Sequence, residues 1–176
     1  MTWFAARDRG LRTDICATDC YHSTSRQIHA FKKPMNDDSS IAAILQTTRR
    51  IAVVGASTRP TRHSHRVMTF MQQHGYTMLP VNPVYAGQEV LGETVAATLG
   101  ELSAPADMVN VFRRPEALEE TVDDVLAVAE ALQIRVVWMQ LGLADEELAA
   151  RVRSAGLSIV MDRCLKIEYG RLMAGA

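Results

Sequence analysis

Eight residues, Ser57, Thr58, Arg59, Arg62, Arg113, Arg114, Arg163 and Lys166, each follow closely on a short apolar run. Hydroxyls, guanidiniums and ammoniums donate hydrogen bonds to phosphate and carboxylate oxygens, and those from cations are the strong ones. Few carboxylates accompany them, although the chain is slightly acidic, with a formal net charge of −1. A plain solvated surface would scatter such cations over helix faces, as Arg151 and Arg153 are placed within "LADEELAARVRSAG". The pattern predicts one anion site assembled from several loops.

The stretch "IAVVGASTRPTRHSHRVM", starting at Ile51, carries the chemistry most compactly. Its apolar run ends at Gly55, where the missing side chain allows a sharp turn and lets backbone N–H groups approach an anion. Ser57 and Thr58 add hydroxyls. A helical pattern follows, and its positive N-terminal end points back at the same place.

The elements that must hold these loops are legible as alternating strands and helices. "IAVVGA", "YTMLPVNP", "DMVNVF", "IRVVWMQ" and "LSIVMD" are short, nearly continuous apolar runs, which read as strands buried on both faces. Between them, Val67, Phe70 and Met71 mark one helix closed by Gly75. Leu118, Val122, Val125, Ala129 and Leu132 mark a second, with Pro115 in its first turn and Glu116, Glu119 and Glu120 at its positive end. A third runs to Gly156, and "RCLKIEYGRLM" forms a last short one. Smaller elements are expected as a helix over Ile41 to Gln46, a short strand over Glu89 to Leu91 and a short helix over Val95 to Leu99. The fold class is α/β: a Rossmann-like three-layer domain with a mostly parallel five- or six-stranded sheet. Ligands of such sheets bind outside the carboxyl ends of the strands, near the switch in strand order.

Composition narrows the function. A chain of 176 residues, 48% of them hydrophobic, suits one globular domain. The near-neutral charge gives no support for bulk nucleic-acid binding. No apolar run reaches the length of a membrane span. Cys16, Cys20 and Cys164 are too few for a disulfide scaffold, and with no secretory pattern they suggest reduced thiols and a cytoplasmic location. Residues 1–34 lack any sustained period and read as a disordered tail or an upstream extension, leaving 35–176 as the domain. Cys16, Cys20 and His22 lack the second pair that a structural zinc site needs, so no metal is expected.

The usual enzyme fingerprints fail. A dinucleotide fold wants G-x-G-x-x-G and an acid roughly 20 residues later. Here the turn reads G-A-S-T-R-P and the second strand ends in Asn82-Pro83. Neither G-x-S-x-G nor the Walker phosphate loop is present. His74 reads as a dipole partner at a helix end, and His63 and His65 as facing either solvent or the ligand, with solvent favoured. The methionines read as packing, Trp138 as core or an edge of the pocket, and Tyr85 as either a ring for stacking or a loop cover.

Taken together, "VVGAS", "PVNPVYAGQEVLGE", "VNVFRRPE", "VVWMQLGL" and "VMDRCLKIE" resemble the stand-alone CoA-binding domain proteins of bacteria and archaea. These are similar to the CoA-binding domain of the succinyl-CoA ligase alpha subunit, and the resemblance runs from about Arg50 to Leu172. It implies a domain that binds coenzyme A through four loops. The first maps to Gly55, Ala56, Ser57, Thr58 and Arg59, the second to Asn82, Pro83, Val84 and Tyr85. The third maps to Phe112, Arg113 and Arg114, the fourth to Gln140, Leu141 and Gly142. Many relatives place Lys in the second loop, where this chain has Val84 and Tyr85, so that phosphate contact is missing or moved to Arg59 or Arg113. The ligases also use a phosphorylated His in another domain and a nucleotide-binding partner subunit. Acyl-CoA formation is therefore not carried over, and the expectation is a CoA or acyl-CoA binder without complete catalytic machinery. Two alternatives stand beside it: an acyl-CoA-handling enzyme using Cys164, and a regulatory module sensing NAD(P) or another nucleotide. A protein partner or a homo-oligomer is compatible with each.

Overall fold

Asp37 opens the first helix, α1 (Asp38–Thr47), by accepting a hydrogen bond from the Ser40 N–H, which meets one of the orphan donors of the first turn. The helix therefore begins before the apolar stretch that signals it. The coordinates are a computed structural model and describe residues 37–173, all of them within the unit Phe31–Ala176. The expected tail, including Cys16, Cys20 and His22, lies outside the described residues.

From α1 the chain enters β1 (Arg50–Val54), then α2 (His63–Gln73) and β2 (Thr77–Val81). A two-residue pair, β3 (Glu89–Val90) and β4 (Glu93–Thr94), forms an antiparallel hairpin. Its turn is Leu91-Gly92, both at positive φ (55° and 83°), the geometry that two-residue hairpins favour. The order then runs β5 (Met108–Val111), α3 (Leu118–Val128), β6 (Val136–Met139), α4 (Glu146–Ser154), β7 (Ser158–Val160) and α5 (Leu165–Leu172). Five strands make one sheet in the order β2-β1-β5-β6-β7, and every pairing within it is parallel. Pro80 is tolerated because β2 is the edge strand.

Strand alternation divides the core between two helical layers. Ile51, Val53, Met108, Val136, Trp138 and Val160 pack with α1 and α2 residues and Leu165 of α5. Ala52, Val109, Val111, Val137, Met139 and Ile159 pack with α3 and α4 residues. Trp138 is fully buried, and its indole N–H donates to the Arg163 carbonyl at 2.7 Å.

One expected element is absent. Residues 95–99 form no helix: Ala96 N–H donates to Pro80 O, and Asn82 N–H donates to Ala96 O, which lays the segment beside β2 as a parallel bridge. A single 3₁₀ turn, Leu99–Glu101, follows it. The backbone bonds are made to β2 instead of within a helix, and Val95 and Leu99 are buried in that extended route.

The amino edge of the sheet is tied together by Asp107. Its carboxylate accepts the N–H groups of Arg49 and Arg50, at 2.8 and 2.9 Å, and the Arg135 guanidinium at 2.8 Å. Partial burial pushes this carboxyl up, but the two backbone bonds and Arg135 outweigh it and hold it below the usual range. Tyr76, nearby, donates to Leu45 O at 2.9 Å, and burial is the main cause of its phenol being pushed up to about 12.

Candidate functional site

Strand order reverses between β1 and β5. The chain leaves β1 through α2 toward β2 on one side and leaves β5 through α3 toward β6 on the other. The two connections diverge and leave a crevice at the carboxyl edge, the switch point where open α/β sheets bind ligands. A cleft of about 1040 Å³ fills it. Gly55 and Ser57 line it from the loop after β1, Asn82, Val84 and Tyr85 from the loop after β2, and Phe112, Arg113 and Arg114 from the loop after β5.

Gly55 is fixed by geometry. Its φ is +86°, and a Cβ there would collide with the Phe112 carbonyl oxygen. The N–H groups of Gly55 and Ala56 both donate to Val81 O, at 2.9 and 3.3 Å, so neither is free for a ligand. That refines the role read from the sequence: Gly55 lets the first loop lie against the β5 loop, and an anion would be met farther along. Ser57 is nearly buried, and its Oγ accepts the Arg59 N–H at 3.2 Å. Asn82 clasps two loops. Its amide nitrogen donates to Ala56 O at 2.6 Å, and its Oδ1 accepts the Val84 N–H at 3.0 Å.

Helix α2 brings Arg62, His63 and Ser64 to the same cleft. No side chain caps its N-terminus and no acid stands in its first turn. The first-turn N–H groups and the positive end of the dipole are left facing the cleft. Arg62 and Arg114 have no carboxylate partner among the described residues, while Arg113 stands 3.8 Å from Glu120. Glu116 and Ala117, in the 3₁₀ turn Pro115–Ala117 just before α3, and Glu120, in its first turn, complete the lining.

Not every residue expected at the site reaches the cleft wall. Thr58, Arg59 and Pro83 belong to its loops but stand outside the lining, and Ala56 is buried beneath it. Gln140, Leu141 and Gly142 lie after β6, off this cleft. The buried Gln140 donates to Asn110 Oδ1 at 2.8 Å, which leaves the fully buried Asn110 Nδ2 with no partner among the described residues. Leu141 is 59% exposed. Gly142 N–H is held by the Asp162 carboxylate at 2.7 Å, with Asp162 itself at φ 51°. Cys164 precedes α5, is half-buried, and packs against the α1/α2/α5 core instead of lining the cleft. The lining includes Arg62, which the strand-end pattern assigns to the anion site, and His63, for which the sequence favours solvent; Ser64, Glu116, Ala117 and Glu120 are additions. For Arg62 the signal was present, since it follows the first strand like the other cations; the two acids read only as ordinary N-terminal residues of a helix.

A parallel sheet with a cationic cleft at its switch point defines a domain of the Rossmann-like class. A family model described as CoA binding domain matches residues 49–170, and the chain belongs to that family. It is 40% identical over 131 residues to the Bacillus subtilis protein YneT, which covers 74% of this chain and 93% of the relative. A solved Thermus thermophilus protein, cell-free ID.343, superposes with a TM-score of 0.72 at 39% identity, over 78% of this chain and 99% of that one. A Pyrococcus horikoshii OT3 protein gives 0.70 at 34% identity, over 78% and 92%. The fold also recurs within a far longer chain, an acetyl-coenzyme A synthetase from Ca. Korarchaeum cryptofilum, with a TM-score of 0.53 at 19% identity over 63% of this chain and 25% of that one.

Proposed function

We propose that this protein binds coenzyme A or an acyl-CoA in the switch-point cleft and carries no complete catalytic machinery of its own. The observation that carries the reading is the convergence of Arg62, Arg113 and Arg114 with the uncapped N-terminus of α2, in a member of the CoA-binding domain family. Coenzyme A has a pyrophosphate and a 3′-phosphate, and a phosphomonoester alone holds about −1.5 to −2 charges at neutral pH. The three guanidiniums and the helix end would meet that charge with short, charge-assisted bonds.

The remaining contacts follow from chemistry and placement. Ser57, with Thr58 and Arg59 behind it, receives phosphate oxygens. Asn82 fixes the first loop against Pro83, Val84 and Tyr85, and Tyr85 offers a ring beside the cleft for the adenine. Gly55 and Ala56 shape the turn, and Phe112 packs against it. The pantetheine arm leaves the cleft along the strand ends toward Gln140, Leu141 and Gly142, neighbours in the sheet order.

Calorimetric titration with CoA, acetyl-CoA, 3′-dephospho-CoA and NAD tests the proposal. The expected result is saturable binding of CoA and acetyl-CoA, weaker binding of the dephospho form and weakest binding of NAD, with no turnover of acetyl-CoA. Preference for NAD would point instead to a nucleotide sensor, and hydrolysis or transfer lost in Cys164→Ser would point to an enzyme.

A further inference from the structure

A cleft built for phosphate has no evident use for carboxylates, yet Glu116 and Glu120 both line this one. The acids near the start of α3 divide by direction. Glu119 and Asp123 pair with Arg151 of α4 and are not part of the cleft lining. Glu120 instead approaches Arg113, with 3.8 Å between Oε2 and the guanidinium nitrogen. That separation is beyond hydrogen-bonding distance, and the Glu120 side chain is 75% exposed against 34% for Arg113. The contact is loose, solvent-screened and easily broken. Of the three arginines in the cleft, Arg113 is thus the one that faces a carboxylate before any ligand arrives.

We propose that Glu120 is a tethered competitor for Arg113: it occupies the guanidinium in the empty cleft and is displaced by a phosphate oxygen of the ligand. The proposal rests on the CoA reading for the identity of that ligand, and on geometry alone for the contact. A phosphate offers Arg113 a shorter, charge-assisted bond, so displacement is favourable, but the carboxylate stays nearby and lowers the net gain. Glu120 in this way sets how much phosphate charge a ligand must bring. An anion with a single weak charge gains little over Glu120, while a ligand with several phosphates gains enough. Glu116 shares the cleft but has no such contact with Arg113 among the described residues, and serves as the internal control for bulk charge.

The experiment is titration of CoA, and in parallel of inorganic pyrophosphate, into the wild type, Glu120→Gln, Glu116→Gln, Arg113→Ala and the double variant Arg113→Ala/Glu120→Gln at fixed low ionic strength. Glu120→Gln should tighten binding by about 1.5- to five-fold, the range expected when a screened charge pair is removed. Glu116→Gln should tighten it less, and Glu120→Gln should change little once Arg113 is gone. Unchanged or weaker binding in Glu120→Gln would overturn the proposal, as would tightening that persists in the Arg113→Ala background. A wild type that ignores CoA but binds pyrophosphate more tightly in Glu120→Gln would sink the CoA reading and uphold the competitor. Failure of both ligands to bind would overturn both.

Discussion

The two edges of the central sheet treat charge in opposite ways. At the amino edge, Asp107 binds two backbone N–H groups and Arg135, while Arg49 reaches the carbonyls of Gln46 and Thr48. At the carboxyl edge, Arg62 and Arg114 face the cleft without a carboxylate partner among the described residues, and Arg113 holds only a distant one. Both edges belong to the same five strands, so the difference does not arise from the fold. A polar group with every bond satisfied contributes to stability, and one left unsatisfied but solvated is available to a ligand. Substitutions at the amino edge should therefore cost stability and spare binding, and substitutions at the carboxyl edge should do the reverse.

Gly55 should break that division by the largest margin, because it belongs to both categories. A side chain there must adopt a φ of +86° and displace the carbonyl of Phe112, the residue whose N–H donates to Val54 O and so anchors the β5 loop to β1. Gly55→Val should cost about 3 kcal/mol or more, combining strain and overpacking, and should abolish CoA binding as the cleft loses its floor. Chemical denaturation alongside titration checks it. A stable variant without binding would show that the turn serves the ligand alone.

Asp107 is the cleaner test of the amino edge. Asp107→Asn keeps the shape but loses charge-assisted bonds to Arg49, Arg50 and Arg135, for an expected loss of about 1–3 kcal/mol with CoA affinity unchanged. The pH dependence has a definite sign. The folded protein holds this carboxyl below its usual range, so its contribution is fully present above about pH 4, the unfolded value, and is lost as pH falls through the depressed one. The acid limb of a stability–pH profile should thus be shallower in the variant. An unaltered limb would assign acid sensitivity elsewhere, with Asp38 the next group to examine, since its bond to Arg171 also holds it low.

The complementary test removes cations from the cleft. Arg114→Ala should weaken CoA binding by about ten-fold, corresponding to one charge-assisted bond, with stability nearly unchanged. Arg113→Ala should have a smaller effect, because the bond Arg113 makes to phosphate is partly offset by giving up Glu120. If denaturation shows that either variant loses as much stability as Asp107→Asn, the contrast between the edges fails.

How much of this was legible in the sequence depends on the range of the forces involved. The five main strands and their helices were readable because each strand is apolar on both faces, a local signature of a covered parallel sheet. The segment 95–99 misled because Val95 and Leu99 have helical spacing, while the bonds that decide the matter go to Pro80 and Asn82, far away in sequence. The cations of the cleft were readable from their position after strand ends. Glu116 and Glu120 were not, since which acids of α3 face the cleft and which face Arg151 depends on how the helix is rolled against the sheet. Gln140 shows the opposite case. It continues the alternation of Val136 and Trp138, so its side chain turns into the core beside Asn110 instead of out to solvent.

The smallest expected effect sharpens the comparison most. Arg151 bonds Asp123 and stands 3.9 Å from Glu119, joining α4 to α3 on a surface that belongs to neither edge. Exposed pairs of this kind contribute about 0.2–1 kcal/mol. Arg151→Ala should therefore lower stability only slightly and leave CoA binding within about two-fold, since screening at physiological salt confines a surface charge to roughly 8 Å. The helix it braces, however, carries Glu120 at its cleft end, with Glu116 in the turn just before it. If CoA affinity shifted in Arg151→Ala while stability did not, the roll of α3 would be setting the cleft's charge from behind. The cleft would then have to be defined to include that second helical layer, and the contrast would be between the cleft with its supporting helix and the amino edge alone.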